Sequence, residues 1–573
     1  MRLRAAARGL ALSLSIACAL LASGCGGGNA PTAARSPQDA RQRPLAEATA
    51  AALLPRQAAS FLNMATFGAT SASLNDLLAA GSYKAWLEQQ MNMPVQTSHW
   101  NTLAALYTPR PTFPALSYGV NPAGEWIIPV MWRAYISSPD QLRKRVGAAL
   151  LEVFVINERV ALIGLQNNQY SAAGYIDMLE RHAFGNFRDL LEDVALSPTM
   201  GNFLSHRGNR KASYDAHGVE IRQPDENFAR ELLQLFSIGL VELNADGTPR
   251  LVNGAPVETY TQSDIFNLAR VFTGWDYDNS VTGFERLRAR MVEYPNLHSP
   301  EAKRFLGLTI AAGTGGRASL KQTLDHLFQH PNVGPFIGRQ LIQRLVTSNP
   351  SPAYVARVSA VFADNGQGVR GDMKAVIRSI LTDPEALSGP DSEDMPQVHG
   401  GKLREPTMRV VAVARVLGAR STQPLFPLGN LTESVPGVGQ TPVNSPSVFN
   451  FFRPGYVPPA SEVASAGLVA PEFQIVTGSQ IISSINFINT MIADEARVFE
   501  YAGMPELQAL ANDPPELLAR AILLLTGRGH GIGPAAREAM TAALTEIPAS
   551  ETRRRVVAAL QMVASTPGFL VQR

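Results

Sequence analysis

The sequence predicts a mainly α protein: a large multi-helix globular body with one or two small β-hairpins and long Pro/Gly-rich loops. Three observations carry this. Apolar residues recur at helical spacing, as in Phe187, Leu190, Leu191 and Val194, which fall at i, i+3, i+4 and i+7 and so share one face. Helix punctuation is explicit. Ser351-Pro352 supplies an N-cap and a first-turn Pro before an apolar run that stops near Gly366; Asp383-Pro384 repeats the device; Thr261 and Asp264 form a capping box before Ile265, Leu268, Ala269 and Phe272. Strand signals reduce to the turn dipeptides Asp246-Gly247 and Asn253-Gly254.

In chain order, residues 1–24 read as a signal peptide. Arg2, Arg4 and Arg8 precede an apolar stretch from Gly9 to Ala22, and small residues then lead to Cys25. A small-residue run ending in Cys resembles a bacterial lipobox, although Leu21 stands four residues before the Cys rather than three; an ordinary cleaved signal is the alternative. The only cysteines are Cys18 and Cys25, so the mature chain holds no disulfide, and Cys25 makes sense as a lipid attachment point. Gly26 after it fits outer-membrane sorting. Residues 25–55 form a Gly/Ala/Pro-rich tether, and 56–573 a single large helical domain with a possible sub-boundary near 276–318. The Pro/Gly-rich stretch 422–459 is expected to wrap the surface of that body. No later segment reaches the roughly 18 apolar residues of a membrane span; the most apolar run, Val146–Ile156, is broken by Glu152.

Of 573 residues, 17% are charged, with 50 Lys+Arg against 48 Asp+Glu, which excludes a disordered polyelectrolyte and gives no footing to nucleic-acid binding. The basic residues are nearly all Arg; Lys occurs only at 84, 144, 211, 303, 321, 374 and 402, which fits a GC-rich bacterial genome.

Several blocks together resemble the bacterial domain-of-unknown-function family 1800: ERHAFGNFRDLLEDVALSPTM from Glu180, PDENFARELLQLFSIGL from Pro224, TYTQSDIFNLARVFTGW from Thr259, HPNVGPFIGRQLIQRLVTSNPSPAYVARV from His330, GKLREP from Gly401, NSPSVFNFFRPGY from Asn444 and APEFQI from Ala470. The resemblance runs from about Ala58 to Phe569. It implies an exported, mainly helical protein, often encoded beside exported proteins resembling sulfatases and phosphatases, and it carries no established activity. Where many members read E-L-H-T-x-G, this chain has Gln234 to Gly239 with Phe236 in place of the His.

The candidate catalytic residues are His182, Glu231, Asp264 and His298, a possible carboxylate/His cluster for a hydrolase. Asn227, Arg230, Glu231 and Gln234 make a polar stripe on one helix, which either lines a polar cavity or pairs with neighbouring helices. His298 with Lys303 matches a spacing that recurs in the family. His326 and His330 are spaced for a metal, but Pro331 puts His330 at a helix end, where the ring caps carbonyls; no metal site is assigned, and no cofactor is specified. Gly313–Arg317 lacks the ending of a phosphate-binding loop, Asn244–Thr248 lacks the distal Glu of a calcium loop, no GxSxG elbow occurs, and Trp275 reads as a core anchor. The leading expectation is a lipid-anchored envelope protein that binds or assembles an envelope partner or polymer, with an exported sulfatase- or phosphatase-like protein as a candidate partner. An exported hydrolase, metal-assisted or not, is the alternative, and a surface-layer protein the third.

Overall fold

The computed structural model of the protein describes residues 53–107, 126–157, 165–388, 401–421, 426–432, 437–494, 497–529 and 531–572. The expected signal peptide, Cys25 and the expected tether up to residue 52 lie outside the described residues. Twenty-four α-helices account for most of the described chain, and every strand belongs to a two-stranded antiparallel pair. No described helix is long and apolar enough to cross a membrane.

The punctuation does what the sequence asks of it. Ser351 accepts from the Tyr354 amide at the head of helix Pro352–Ala363, and Thr261 and Asp264 close a reciprocal capping box on Gln262–Ala269. The Phe187, Leu190, Leu191, Val194 face is fully buried. The helix Pro55–Ala65 packs on Pro514–Thr526, so the two ends of the described chain meet in one core. Gly527 makes that approach possible: a Cβ there would stand 2.7 Å from the Ser60 Cα, and its φ of 74° suits glycine.

The hairpin at Asn253-Gly254 pairs Leu251 with Pro256 and Val252 with Ala255, with φ of 53° and 80° at the two turn residues. There are six such strand pairs rather than one or two, because residues 275–310 and the chain end add short ladders that carry no alternating pattern. The segment 276–318 lies inside the unit Ala52–Arg573. The expectation that 422–459 wraps the surface is corrected for its first part, where Phe426, Leu428, Leu431, Val438, Thr441 and Val443 are buried, while 453–459 is exposed or half-buried. A buried loop must satisfy its own backbone, and polar side chains do so. The Thr441 hydroxyl accepts from the Leu431 amide at 2.6 Å, and the Trp132 indole donates to the Gly429 carbonyl at 2.9 Å.

Candidate functional site

Helix Gln141–Leu151 is buried on nearly every side although it begins Gln-Leu-Arg-Lys-Arg. A helix that buries three consecutive cations must supply each with partners. It does so on two faces. On one, Lys144 reaches the Glu180 carboxylate and the Thr97 carbonyl. Gly147, one turn on, lets helix Leu165–Arg181 approach; a Cβ there would meet the Glu180 Cγ at 2.6 Å. His99 completes this first cluster: its Nδ1 donates to Asp177 Oδ1 at 3.0 Å and lies 3.8 Å from Glu180 Oε2.

The donor atoms of His99, Asp177 and Glu180 lie within 4.8 Å of one another, the spacing of a metal site, and no other described set does. The pairing argues against that use. Asp177 already accepts from the Ser98 hydroxyl at 2.6 Å and the His99 and Trp100 amides at 2.8 and 3.1 Å, so it caps helix His99–Tyr107. Burial works to raise the Asp177 pKa, but the His99 and Ser98 hydrogen bonds outweigh it and hold the group at about 2. Burial raises that of Glu180 in spite of His99 and Lys144. The Lys144 ammonium supplies the cation that a metal would otherwise bring.

The second face carries Arg145, Ala148, Leu151 and Glu152, which line a cavity of about 50 Å³, room for one or two water molecules. Glu405 faces Glu152 there, with Phe67, Tyr135, Thr407, Gln440, Ser445 and Asn450 around them. Glu405 is the N-cap residue of helix Pro406–Val416, directly after the strand Lys402–Leu403. Its Oε2 accepts from Gln440 Nε2 at 2.7 Å, and Lys402 Nζ stands 3.7 Å from its Oε1. Lys402 in turn donates to the Arg344 carbonyl at 2.9 Å and pairs with Glu472 at 3.0 Å. Arg344 donates to the Glu152 backbone carbonyl at 3.0 Å and lies 3.6 Å from its Oε2, while Arg145 donates to the Arg344 carbonyl.

The two carboxyl groups stand close enough to shift each other's pKa in opposite directions. No residue donates to Glu152 Oε2 or Glu405 Oε1. Burial and the Glu405 charge push Glu152 well above the ordinary carboxylate range, against Arg344 and Lys402. Burial acts on Glu405 too, but Lys402, Glu152, Arg145 and Gln440 overcome it and lower its pKa. The environment therefore separates two like groups into an acid, Glu152, and a base, Glu405. Arg145 Nε, Thr407 Oγ1 and Asn450 Nδ2, from residues lining the same cavity, also have no partner in the protein. With Glu152 Oε2 and Glu405 Oε1, five buried polar atoms around this one small cavity have no hydrogen-bond partner in the protein.

The sequence model of a family described as "Protein of unknown function (DUF1800)" matches residues 60–571. The chain belongs to this family. No curated protein and no solved structure matches it. Four of the blocks that carry the DUF1800 resemblance meet at the cavity network: Arg344 comes from the His330 block, Lys402 and Glu405 from GKLREP, Ser445 and Asn450 from NSPSVFNFFRPGY, and Glu472 from APEFQI.

No described hydrogen bond or ion pair joins any two of His182, Glu231, Asp264 and His298. His182 Nε2 pairs with Asp193 Oδ2 at 2.6 Å, half-buried. Asp264 serves the capping box and accepts from the Leu306 amide at 2.8 Å. His298 Nδ1 donates to the Thr273 carbonyl at 2.8 Å, and burial lowers its pKa. Glu231 is buried with Oε2 unpartnered and its pKa raised by burial. In the polar stripe, Arg230 pairs with Glu226 at 3.1 Å and reaches Gln262 at 3.4 Å, while Asn227 and Gln234 are half-buried beside it. His330 ends its helix, but its Nδ1 accepts from the Asn332 amide at 3.2 Å instead of capping carbonyls, because the chain turns back over the ring. Trp275 is buried and donates to the Val271 carbonyl at 3.1 Å. Sequence reasoning missed Glu152 and Glu405. One signal could have found the first: Glu152 is the acid that interrupts the most apolar run of the chain.

Proposed function

We propose that the protein is a lipid-anchored envelope hydrolase whose working groups are Glu152 and Glu405. The observation that carries the reading is the pair of buried carboxyl groups lining one water-sized cavity, one with its pKa raised and the other with its pKa lowered. Ionised Glu405 takes a proton from a water molecule as the water oxygen attacks a carbonyl carbon. Protonated Glu152 donates its proton to the carbonyl oxygen. Collapse of the tetrahedral intermediate returns protons to the leaving group and to Glu152, so the pair ends as it began. Glu152 keeps 14% of its side chain exposed against 3% for Glu405, which supports giving it the substrate side.

The pair lines a cavity of about 50 Å³, too small to seat a sugar ring between the carboxyl groups, so an amide or ester carbonyl suits it better than a glycosidic bond. The leader and Cys25 support an envelope setting, with the body tethered outside the cytoplasm. The test incubates the full mature protein with purified cell-wall sacculi and with peptide and ester substrates, counting released amino and carboxyl groups. Release that falls at least a hundredfold in Glu152→Gln, with near-ultraviolet circular dichroism unchanged, is expected. Equal release by wild type and Glu152→Gln, or none from either, would sink the reading.

A further inference from the structure

We propose a second site, independent of the carboxyl pair: a cleft that binds an acidic glycan, a sugar chain bearing carboxylate or phosphate groups. It lies between helix Leu165–Arg181 and the segment 281–290. Gly174, Arg181 and Arg288 line both of its lobes, which enclose about 150 and 340 Å³. Arg290 and Asp193 lie in one lobe and Glu285 in the other.

The charges on the cleft are unevenly matched. Arg288 pairs with Glu285 at 2.7 Å, and Arg290 with Asp193 at 2.6 Å and Glu192 at 3.2 Å. Asp193 also holds His182, and Glu192 also holds Arg188 at 2.8 Å. The carboxylates are thus spent on cations already in place. Arg181 has no described hydrogen bond or ion pair, and neither has Arg286, whose guanidinium lies 5.1 Å from the Tyr277 ring centre. Arg181 lines the cleft and Arg286 the adjoining pocket of Gly283, Phe284 and Leu287; each open fork can grip an oxyanion with two parallel hydrogen bonds.

The wall beside them is aromatic. Phe284 stacks on Tyr170 with ring centres 4.5 Å apart and remains 41% exposed, so its outer face is open as a platform for a sugar ring. Trp100 stands edge-on to Tyr170 at 4.9 Å, and Arg288 lies 4.3 Å above Trp100. Gly174 fixes this spacing, since a Cβ there would meet the Arg288 Cβ at 2.7 Å. An apolar platform beside Arg286, adjoining the cleft that Arg181 lines, selects a chain long enough to present both a flat sugar face and a negative charge. Inorganic phosphate satisfies only half of it.

Isothermal titration of the full mature protein tests this with three probes: a glucuronate-containing oligosaccharide, a phosphorylated sugar and an uncharged glucose oligosaccharide. The acidic probes bind and the neutral one does not, and binding weakens as salt rises. The Arg181→Gln/Arg286→Gln double variant weakens acidic-probe binding more than tenfold. Phe284→Ala weakens the oligosaccharide but not inorganic phosphate. If only one acidic probe binds, the charged group is identified. Equal binding of neutral and acidic probes, no binding of either, or indifference to the double variant overturns the proposal. Glu152→Gln leaves this binding unchanged, so failure here and failure of the hydrolase reading are separable.

Discussion

The two faces of helix Gln141–Leu151 meet two buried ionic groups of similar composition but different completeness. Around Lys144, both oxygens of Asp177 are engaged and a cap is served, although Glu180 Oε1 and His99 Nε2 have no hydrogen-bond partner. Around Glu152, three cations and three carboxylates are present, yet Glu152 Oε2 and Glu405 Oε1 have no donor and a water-sized space adjoins them. Buried charge by itself therefore marks no site. The closed group looks the better metal site by ligand spacing, and the open one the better chemical site by its pKa asymmetry.

Removing the ammonium from the closed group should have the largest effect. Lys144→Met leaves Glu180 buried without its counter-charge and is expected to cost about 3–5 kcal/mol in chemical denaturation. Zinc should raise the melting temperature of that variant but not of the wild type; a wild-type rise would show that Lys144 and a metal coexist and would erase the contrast. In the open group, Glu405→Gln deprives Lys402 and Arg145 of their anion and should cost about 2–4 kcal/mol at pH 7. The Glu405 pKa is depressed on folding, so its contribution is present above pH 4.5 and lost as pH falls below it; the difference between variant and wild type should shrink there.

Glu152 carries the opposite sign. Its folded pKa is raised, so it favours the folded state below pH 4.5 and that advantage disappears as pH rises. Gln imitates its protonated form, so Glu152→Gln should stay within about 1 kcal/mol of wild type at pH 5 and gain on it towards pH 8. A loss above about 2 kcal/mol at pH 7 would mean that Glu152 is an ionised salt-bridge partner like Glu180, and the two groups would then be alike. The smallest effect is expected from His182→Asn, whose half-buried pair with Asp193 should contribute no more than about 1 kcal/mol.

Helices were legible because their signals are local: the caps at Thr261 and Ser351 and the stripe at Phe187 need only neighbouring residues. The site was not, because its members come from segments that meet only in the fold. Arg145 and Arg344 are 199 residues apart, and Arg344 and Lys402 are 58. Histidine drew attention as an uncommon, versatile residue, but the described histidines mostly satisfy backbone groups. Lysine was the better clue. In a chain that uses Arg almost everywhere, three of its seven lysines, Lys144, Lys303 and Lys402, are buried. A compact ammonium fits where a planar guanidinium does not. The interior course of the first part of 422–459 was hidden for another reason: turn-forming residues announce a loop but not whether a side chain such as Thr441 will feed its backbone.

The strand Val571–Gln572 pairs with Lys402–Leu403, and the Gln572 amide donates to the Leu345 carbonyl 227 residues earlier. During biosynthesis, then, the lysine next to Glu405 is not clamped until almost the whole polypeptide has emerged. A nascent chain carrying Arg145 and Glu152 must wait with those charges hydrated until this late strand arrives.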